Sequence, residues 1–172
     1  MEILLQKADR SDFDAIYRQM EANFIQEEIR DRADALAVME NPAYALYHLV
    51  RDGVRVGFLS IWHFDEIRFA EHFVVYEEYR NQGLGGDAVE AAVKAFGPIV
   101  LEAELPDTPM AARRLGFYRR HGFIQNEIPY RQPSYRKDGE GVPLVLLSSG
   151  APLADPQNTV RLLYERVYGV KY

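Results

Sequence analysis

The 172-residue sequence contains no cysteine. A disulfide framework, a thiolate zinc site and a cysteine nucleophile are therefore excluded. The N-terminus lacks the basic-then-apolar layout of a signal peptide, and no apolar run approaches the length of a membrane span. The 4 histidines show no ligand spacing, so the sequence gives no reason to expect a metal. We expect a cytoplasmic protein that has no membrane partner and no metal.

Basic residues are fewer than acidic ones. Lys and Arg total 20 against 26 for Asp and Glu, which gives a net charge of -6. This balance argues against non-specific nucleic-acid binding and mildly favours a neutral or cationic partner. The chain is long enough to bury roughly 70% of its unfolded surface. No stretch resembles a linker, so we predict a single domain over residues 1–172.

Hydrophobic periodicity and turn residues predict the element order β-α-α-β-β-β-α-β-α-β-β-α. Asp52-Gly53 lies between two β-rich runs and predicts a two-residue hairpin. Asp155-Pro156 is typical of a capped helix start, so residues 150–172 are predicted to form a C-terminal helical extension. A hairpin followed by strand-helix-strand units indicates an α+β fold, with a mixed sheet flanked by helices.

A glycine-rich turn, "YRNQGLGGDA", separates a predicted strand from a predicted helix. The first turn of a helix has unpaired N–H groups and partial positive charge. Gly83, Gly85 and Gly86 remove side chains that would keep a ligand away, and Arg80 adds a cation. We expect positive φ at Gly83 and Gly85. The pattern predicts a phosphate or pyrophosphate site.

Two alternatives accompany this interpretation. The turn could be a plain tight turn before a helix. It also fits the relaxed dinucleotide fingerprint, with Glu102 and Glu104 about 20 residues further on as ribose ligands. Against a dinucleotide site, the polar stretch "EEYRNQ" separates strand from glycine, and a hairpin precedes the unit. Only one short strand-helix-strand unit follows, which is too little for a doubly wound sheet.

Two separated motifs carry a family resemblance. "VVYEEYRNQGLGGDAVEAAV" resembles the acetyl-CoA motif of the GNAT superfamily of N-acetyltransferases, and "LGFYRRHGF" resembles a second block of that family. The second match runs through Phe117, Tyr118, Gly122 and Phe123. The resemblance covers nearly the whole chain, and "PYRQPSY" and "VPLVLL" are similar to one bacterial branch with an added C-terminal helix.

The resemblance implies a fold and a reaction. The fold is a twisted, mostly antiparallel sheet of about seven strands that splays between strands 4 and 5. The reaction moves acetyl from acetyl-CoA, the acyl-donor substrate, to an amine by direct attack in a ternary complex. The acceptor is a small-molecule amine or a protein amine. Its identity and the oligomeric state stay open, a homodimer included. A catalytically silent CoA-binding module is the alternative.

The resemblance also implies residues that bind acetyl-CoA. Main-chain groups of Phe73, Val74 and Val75 would pair with the pantetheine arm as an added strand does. One of their N–H groups would face the thioester oxygen. Beside Arg80, the pyrophosphate would lie on the N–H groups of Asn81, Gln82, Gly83, Leu84, Gly85 and Gly86.

Tyr118 occupies the position of the family's usual general acid. A phenol of pKa ~10 stays protonated at neutral pH and can protonate a thiolate. Glu71 is the candidate base, acting directly or through water, and alternation places it with Phe73 and Val75 on one strand face. The alternatives are a core tyrosine and a partly exposed carboxylate with a salt partner such as Arg68.

Some neighbouring positions depart from the family or remain open. Many members carry Asn seven residues before the tyrosine, but this chain has Ala111, which puts a side-chain contact to the cofactor arm in doubt. We interpret Arg114 as a solvated helix charge. Glu102 and Glu104 share a strand face and are candidates to line the acceptor pocket or bind a cationic amine.

Overall fold

The computed structural model describes residues 2–172. Its strands are β1 Leu4–Lys7, β2 Tyr44–Arg51, β3 Val54–His63, β4 Arg68–Val75, β5 Ile99–Glu104, β6 Phe123–Gln132 and β7 Val142–Ser149. Its α-helices are α1 Phe13–Asn23, α2 Arg32–Val38, α3 Leu84–Phe96, α4 Pro109–Arg120 and α5 Pro156–Leu162. Short 3-10 turns cover Arg10–Asp12, Gln26–Glu28 and Glu77–Tyr79, and a π-helical turn covers Leu163–Val167.

The described chain divides into two compact units. The first unit contains the residues up to Phe24 together with Arg32–Ile99. Its strands β1, β2, β3 and β4 pair in that order, each antiparallel to the next. Trp62, Phe58 and Phe69 are its largest fully buried side chains. Burial of such aromatic side chains supplies much of the free energy that stabilises a core.

The second unit contains Ile25–Asp31 and Val100–Tyr172. Its strands have the order β5-β7-β6, again with antiparallel pairs. Two hydrogen bonds attach the short segment to the connection after β6: Tyr135 N–H donates to Glu27 O at 3.2 Å, and Arg136 Nε donates to Gln26 O at 3.0 Å. Leu146, Leu147 and Leu163 lie in the core of this unit.

Strand β4 contains a bulge at Glu71. Ser60 of β3 pairs with His72, whereas the next residue, Ile61, pairs with Ala70. Two residues of β4 therefore span one step of β3, and Glu71 is the extra residue. The side chains of β4 alternate strictly between the two faces of the sheet from Glu71 onward, but this alternation is interrupted immediately before Glu71. Sequence periodicity alone does not reveal the interruption.

The predicted fold class is confirmed, with seven strands, antiparallel pairing inside each unit, and flanking helices. Asp52 and Gly53 form the predicted hairpin with φ of 51° and 79°. Asp155 caps α5, since its side chain accepts from Asn158 N–H at 3.0 Å. The splay between strands 4 and 5 and the single domain stay predictions. No helix in residues 2–172 is both long and apolar enough to cross a membrane.

Candidate active site

The glycine-rich turn forms the N-terminal end of α3. Gly83 is the capping residue and has a left-handed φ of 78°, as predicted. A side chain there would meet no atom within 4 Å, so the space above the turn is open. Gly85 does not have positive φ, which corrects the prediction, because it already lies inside the helix. Asn81 takes the second left-handed position instead, with φ of 61°.

The guanidinium of Arg80, the cation beside this turn, is held in place by hydrogen bonds to other residues of the protein. Arg80 Nε donates to the carbonyl oxygen of Val75 at 3.0 Å, and Arg80 Nη2 donates to Asn23 Oδ1 at 2.6 Å. The guanidinium thus links the end of β4 to the end of α1. The side chain remains exposed. Its position is fixed while its charge can still attract an anion, because a guanidinium has further donors.

The end of β4 has the alternation that a strand-like ligand requires. Phe73 and Val75 are half-buried, whereas His72 and Val74, which alternate with them along the strand, are buried. Strand β3 approaches closely at Gly57, where a Cβ would lie 2.1 Å from the carbonyl oxygen of Val74. Only glycine fits at this point, and its use lets the two strands pair without displacing the backbone of β4.

Glu71 is more enclosed than the sequence indicated. Its side chain has 0% exposure, although the residue as a whole is half-buried, so the exposed part is main chain. Its Oε2 lies 3.8 Å from His72 Nδ1. The ring of His72 contacts Phe24 edge-on at 4.8 Å, and its Nδ1 lies 3.2 Å from Ser60 Oγ. These contacts give His72 a structural role.

Tyr118 lies on the buried side of α4. Its ring contacts those of Phe117 and Phe123 edge-on, with ring centroids 5.2 and 5.4 Å apart, so the aromatic side chains of the second motif pack against one another. The motif glycine, Gly122, has φ of 81° and lets the chain turn from α4 into β6. Burial raises the pKa of Tyr118 to about 12, against a smaller opposing effect of the Arg114 charge. The phenol is therefore protonated throughout the neutral range.

The two other positions on α4 now have explanations. Ala111 is 2% exposed and its N–H donates to Thr108 Oγ1 at 3.1 Å, so this position supports the capped start of the helix. Arg114 is not merely solvated, because its Nη1 lies 3.5 Å from Glu104 Oε2. Both partners are roughly half exposed, so the pair contributes little to stability.

Glu102 is bound by tyrosines that sequence analysis did not single out. Tyr168 OH lies 2.7 and 2.8 Å from its two carboxylate oxygens, and Tyr130 OH donates to Oε1. Burial, followed by the charge of Glu102, raises the pKa of Tyr130 well above its usual value. Tyr168 is 66 residues away from Glu102, so no local sequence signal could indicate this contact.

Glu28 is a further residue that the sequence did not mark. It lies in the 3-10 turn Gln26–Glu28 and is half-buried. Burial raises its pKa, and the negative charge of Glu104 adds to the effect, while Arg114 opposes it. Glu28 and Glu104 therefore lie close enough to interact. Among residues 2–172, no group of three or more His, Asp or Glu side chains is arranged to hold a metal ion.

The seven strands, the open glycine turn at a helix start and the buried motif tyrosine are features expected of an acyl-CoA-dependent acyltransferase. The family model for the acetyltransferase (GNAT) domain matches residues 42–125. A solved structure from Bacteroides thetaiotaomicron that is assigned to the GNAT family is 31% identical over 98% of this chain and 100% of its own, with a TM-score of 0.92. The chain belongs to the GNAT superfamily of N-acetyltransferases.

More distant structures share the fold alone. The ribosomal-protein-S18-alanine N-acetyltransferase from Escherichia coli has a TM-score of 0.60 at 16% identity, over 90% of this chain and 97% of its own. A spermidine N-acetyltransferase variant from Vibrio cholerae has a TM-score of 0.63 at 12% identity, over 85% and 94%. No protein with a curated description matches the chain significantly. Membership of this family replaces the dinucleotide-binding alternative.

Proposed function

We propose that the protein transfers the acetyl group of acetyl-CoA to an amine by direct attack within a ternary complex. The observation that carries this proposal is the placement of Tyr118, which is buried within the second motif with its ring against Phe117 and Phe123 and which is protonated at neutral pH, with a pKa of about 12. A general acid must hold its proton until the leaving group needs it. The open turn at Gly83 supports the donor side, because unpaired N–H groups at a helix start suit a pyrophosphate.

The proposed steps assign one task to each group. The acceptor ammonium, with a pKa of ~10, first loses a proton to Glu71, directly or through water. The neutral nitrogen attacks the thioester carbon, and a main-chain N–H of Phe73, Val74 or Val75 stabilises the oxygen as it gains negative charge. The carbon–sulfur bond breaks and Tyr118 protonates the thiolate, while the second proton of the nitrogen passes through water to the resulting phenolate and restores the phenol. Glu71 then gives its proton to solvent. The products are an amide and CoA.

Donor binding is assigned to the glycine turn and to β4. Residues 81–86 would hold the pyrophosphate, and Arg80 would add a cation beside it. The hydrogen bond from Arg80 to Val75 supports the binding of one donor molecule by both the glycine turn and β4. It fixes the cation against the end of the strand that is proposed to pair with the pantetheine arm. Ala111 leaves this binding to main-chain groups and Arg80.

The decisive experiment measures thiol release from acetyl-CoA with a broad panel of amines, together with calorimetric binding of CoA and of NAD. We expect CoA binding and amine-dependent thiol release. CoA binding without turnover would instead favour a catalytically silent module. Binding of NAD without CoA would contradict the proposal outright.

A further inference from the structure

Four arginines lie on α4, the helix that contains Tyr118. We propose, resting on the acetyl transfer proposed above, that one of them, Arg114, is a positioning residue for the general acid. Its guanidinium stabilises the phenolate that Tyr118 becomes when it gives its proton to the leaving thiolate. Glu104 holds the guanidinium in place. Arg114 thus acts through Tyr118 and needs no contact with either substrate.

The burial of Tyr118 creates a conflict for a general acid. Tyr118 is 7% exposed, and burial raises its pKa to about 12. An ordinary thiol has a pKa of ~8.5, so this phenol holds its proton roughly 10³-fold more tightly than the thiolate that must receive it. A phenolate in apolar surroundings is also poorly solvated. Transfer of the proton is therefore favoured by a positive charge close to the phenol.

Helix spacing brings Arg114 to the place where that charge is required. Arg114 and Tyr118 are four residues apart in α4, so they lie about one turn apart on the same face of the helix. Side chains of a helix lean toward its N-terminus, and the ring of Tyr118 therefore extends over the turn that contains Arg114. The charge of Arg114 acts on the phenol and opposes the larger effect of burial. Spacing, side-chain direction and charge thus indicate the same pair.

An ion pair restrains the guanidinium of Arg114. Its Nη1 lies 3.5 Å from Oε2 of Glu104, the last residue of β5. Without a partner, an arginine side chain samples many rotamers, and its charge would be near the phenol for less of the time. The carboxylate offsets part of the charge, so we expect a moderate effect on the phenol. The guanidinium also remains charged at any pH at which the phenol is protonated.

The other arginines of α4 have different positions. Arg113 is exposed and lies five residues before Tyr118, which turns it about 140° away around the helix axis. Arg119 and Arg120 are exposed as well, and they follow Tyr118 directly, on other faces of the helix. An effect specific to Arg114 can therefore be distinguished from the general positive charge of α4, and Arg113 supplies the matched control.

A double-mutant cycle tests whether Arg114 acts through Tyr118. We measure kcat for thiol release at saturating acetyl-CoA, with the fastest amine of the panel, in the wild type, Arg114→Gln, Tyr118→Phe and the double variant. Arg114→Gln should lower kcat by roughly 3–30-fold when the hydroxyl is present and have no further effect when it is absent. Arg114→Lys should recover most of the loss, and Arg113→Gln should keep the wild-type kcat. Wild-type kcat in Arg114→Gln, or an equal loss in both backgrounds, would overturn the inference.

A second measurement follows the phenol without catalysis. In protein labelled on its tyrosine rings, the NMR shift of the Tyr118 ring carbon that bears the hydroxyl is recorded in alkali, and Tyr118→Phe identifies the signal. Loss of the Arg114 charge should raise the pH at which Tyr118 ionises, so less phenolate should be present at pH ~11 in Arg114→Gln than in the wild type or Arg113→Gln. Equal ionisation in the three proteins would contradict the proposed action of Arg114.

Failure of this inference can be separated from failure of the proposed function. Absence of turnover with every amine would refute acetyl transfer, and the NMR titration would then decide whether Arg114 acts on the phenol. Both members of the ion pair are roughly half exposed, so Arg114→Gln should fold and bind CoA as the wild type does. Arg114→Met, which keeps the aliphatic stem, repeats both measurements and separates loss of charge from loss of packing.

Discussion

At the scale of single residues, Tyr118 has the clearest chemical consequence. Replacing it with Phe keeps the ring contacts with Phe117 and Phe123 and removes only the hydroxyl. We expect kcat to fall by roughly 10²–10⁴-fold, the usual contribution of a general acid, with little change in CoA affinity. The measurement is steady-state thiol release beside calorimetric CoA binding.

The matched control for Tyr118→Phe is Tyr47→Phe. Tyr47 is a half-buried tyrosine whose pKa is likewise raised by burial, but it lies on β2, outside the proposed machinery. That variant should keep the wild-type kcat. Equal rates for wild type and Tyr118→Phe would remove Tyr118 from the proposed mechanism.

The buried hydroxyl of Tyr118 should also make the stability of the protein depend on pH in the alkaline range. The pKa of Tyr118 is about 12 in the folded protein against 10.0 for a free phenol. The folded state therefore holds the proton more tightly, and the resulting stability is complete below pH ~10 and lost as the pH rises toward ~12. By pH ~11 the loss is about 1 kcal/mol.

Denaturant unfolding of the wild type and Tyr118→Phe at several pH values tests this effect. Other tyrosines titrate in both proteins and cancel in the difference. The wild type should lose more free energy of unfolding than the variant between pH ~9 and ~11. Parallel curves would mean that the phenol is less well buried than the structure indicates.

At the scale of secondary-structure elements, the close approach of β3 to β4 predicts a sensitive position. In Gly57→Ala the new Cβ would lie 2.1 Å from the Val74 carbonyl oxygen, which is main chain and cannot rotate away. We expect a loss of about 1–3 kcal/mol in the free energy of unfolding. Weaker CoA binding should accompany it, because the proposed pantetheine-binding strand must shift.

Gly116→Ala is the contrasting change. Gly116 lies in α4, and the nearest atom to a new Cβ is the mobile Nη1 of Arg120 at 3.3 Å. Alanine favours a helix interior by roughly 0.5–1 kcal/mol over glycine, so this variant should be no less stable than wild type. A Gly57→Ala protein as stable as Gly116→Ala would show that the β3–β4 pair adapts easily.

Elements with local signals were predictable, and those set by distant contacts were not. Asp52-Gly53 and Asp155-Pro156 determine their own backbone geometry, so the hairpin and the cap of α5 follow from the sequence. The bulge at Glu71 depends on how β4 pairs with β3, which periodicity does not encode. Gly85 was assigned positive φ because the start of α3 could not be located to one residue.

The residues of the candidate site divide in the same way, into those with a local sequence signal and those positioned by distant contacts. Tyr118 and the glycine turn were identified through motifs, whereas Glu28 and Tyr168 carry no motif. The pKa of Glu28 is raised by burial and then by the charge of Glu104, which lies 76 positions later in the sequence, and Tyr168 contacts Glu102 across 66 positions. Contacts of this kind arise from the tertiary fold and become visible only in a structure.

At the scale of the whole molecule, the net charge of -6 favours a cationic acceptor. A dication should be attracted more strongly than a monocation, and salt should weaken the difference, since the Debye length shortens to ~8 Å at physiological ionic strength. We expect KM for 1,4-diaminobutane to rise several-fold between low and high salt, and KM for n-butylamine to rise less.

Steady-state kinetics with both amines at a series of sodium chloride concentrations measures this effect. Potassium acetate in place of chloride controls for specific anion effects. Identical salt dependence for the two amines would indicate that charge does not select the acceptor.

The π-helical turn Leu163–Val167 has a consequence for how the chain length can change. Tyr168 N–H bonds to Leu163 O, five residues earlier, at 3.1 Å, so this turn holds one residue more than an α-helical turn. Deleting the exposed Glu165 should convert it to ordinary helix and keep Tyr168 directed at Glu102. Deleting the exposed Arg161 from α5 should rotate the following chain by ~100° and detach it.

Thermal unfolding of the two single-residue deletions compares these outcomes, and we expect the Glu165 deletion to retain the higher Tm. Equal losses of Tm would show that the π-helical turn tolerates the deletion of a residue no better than α5 does. If the expectation holds, related chains can gain or lose one residue at this turn during evolution without breaking the tyrosine–carboxylate contact, so the contact can persist while the length of the tail varies.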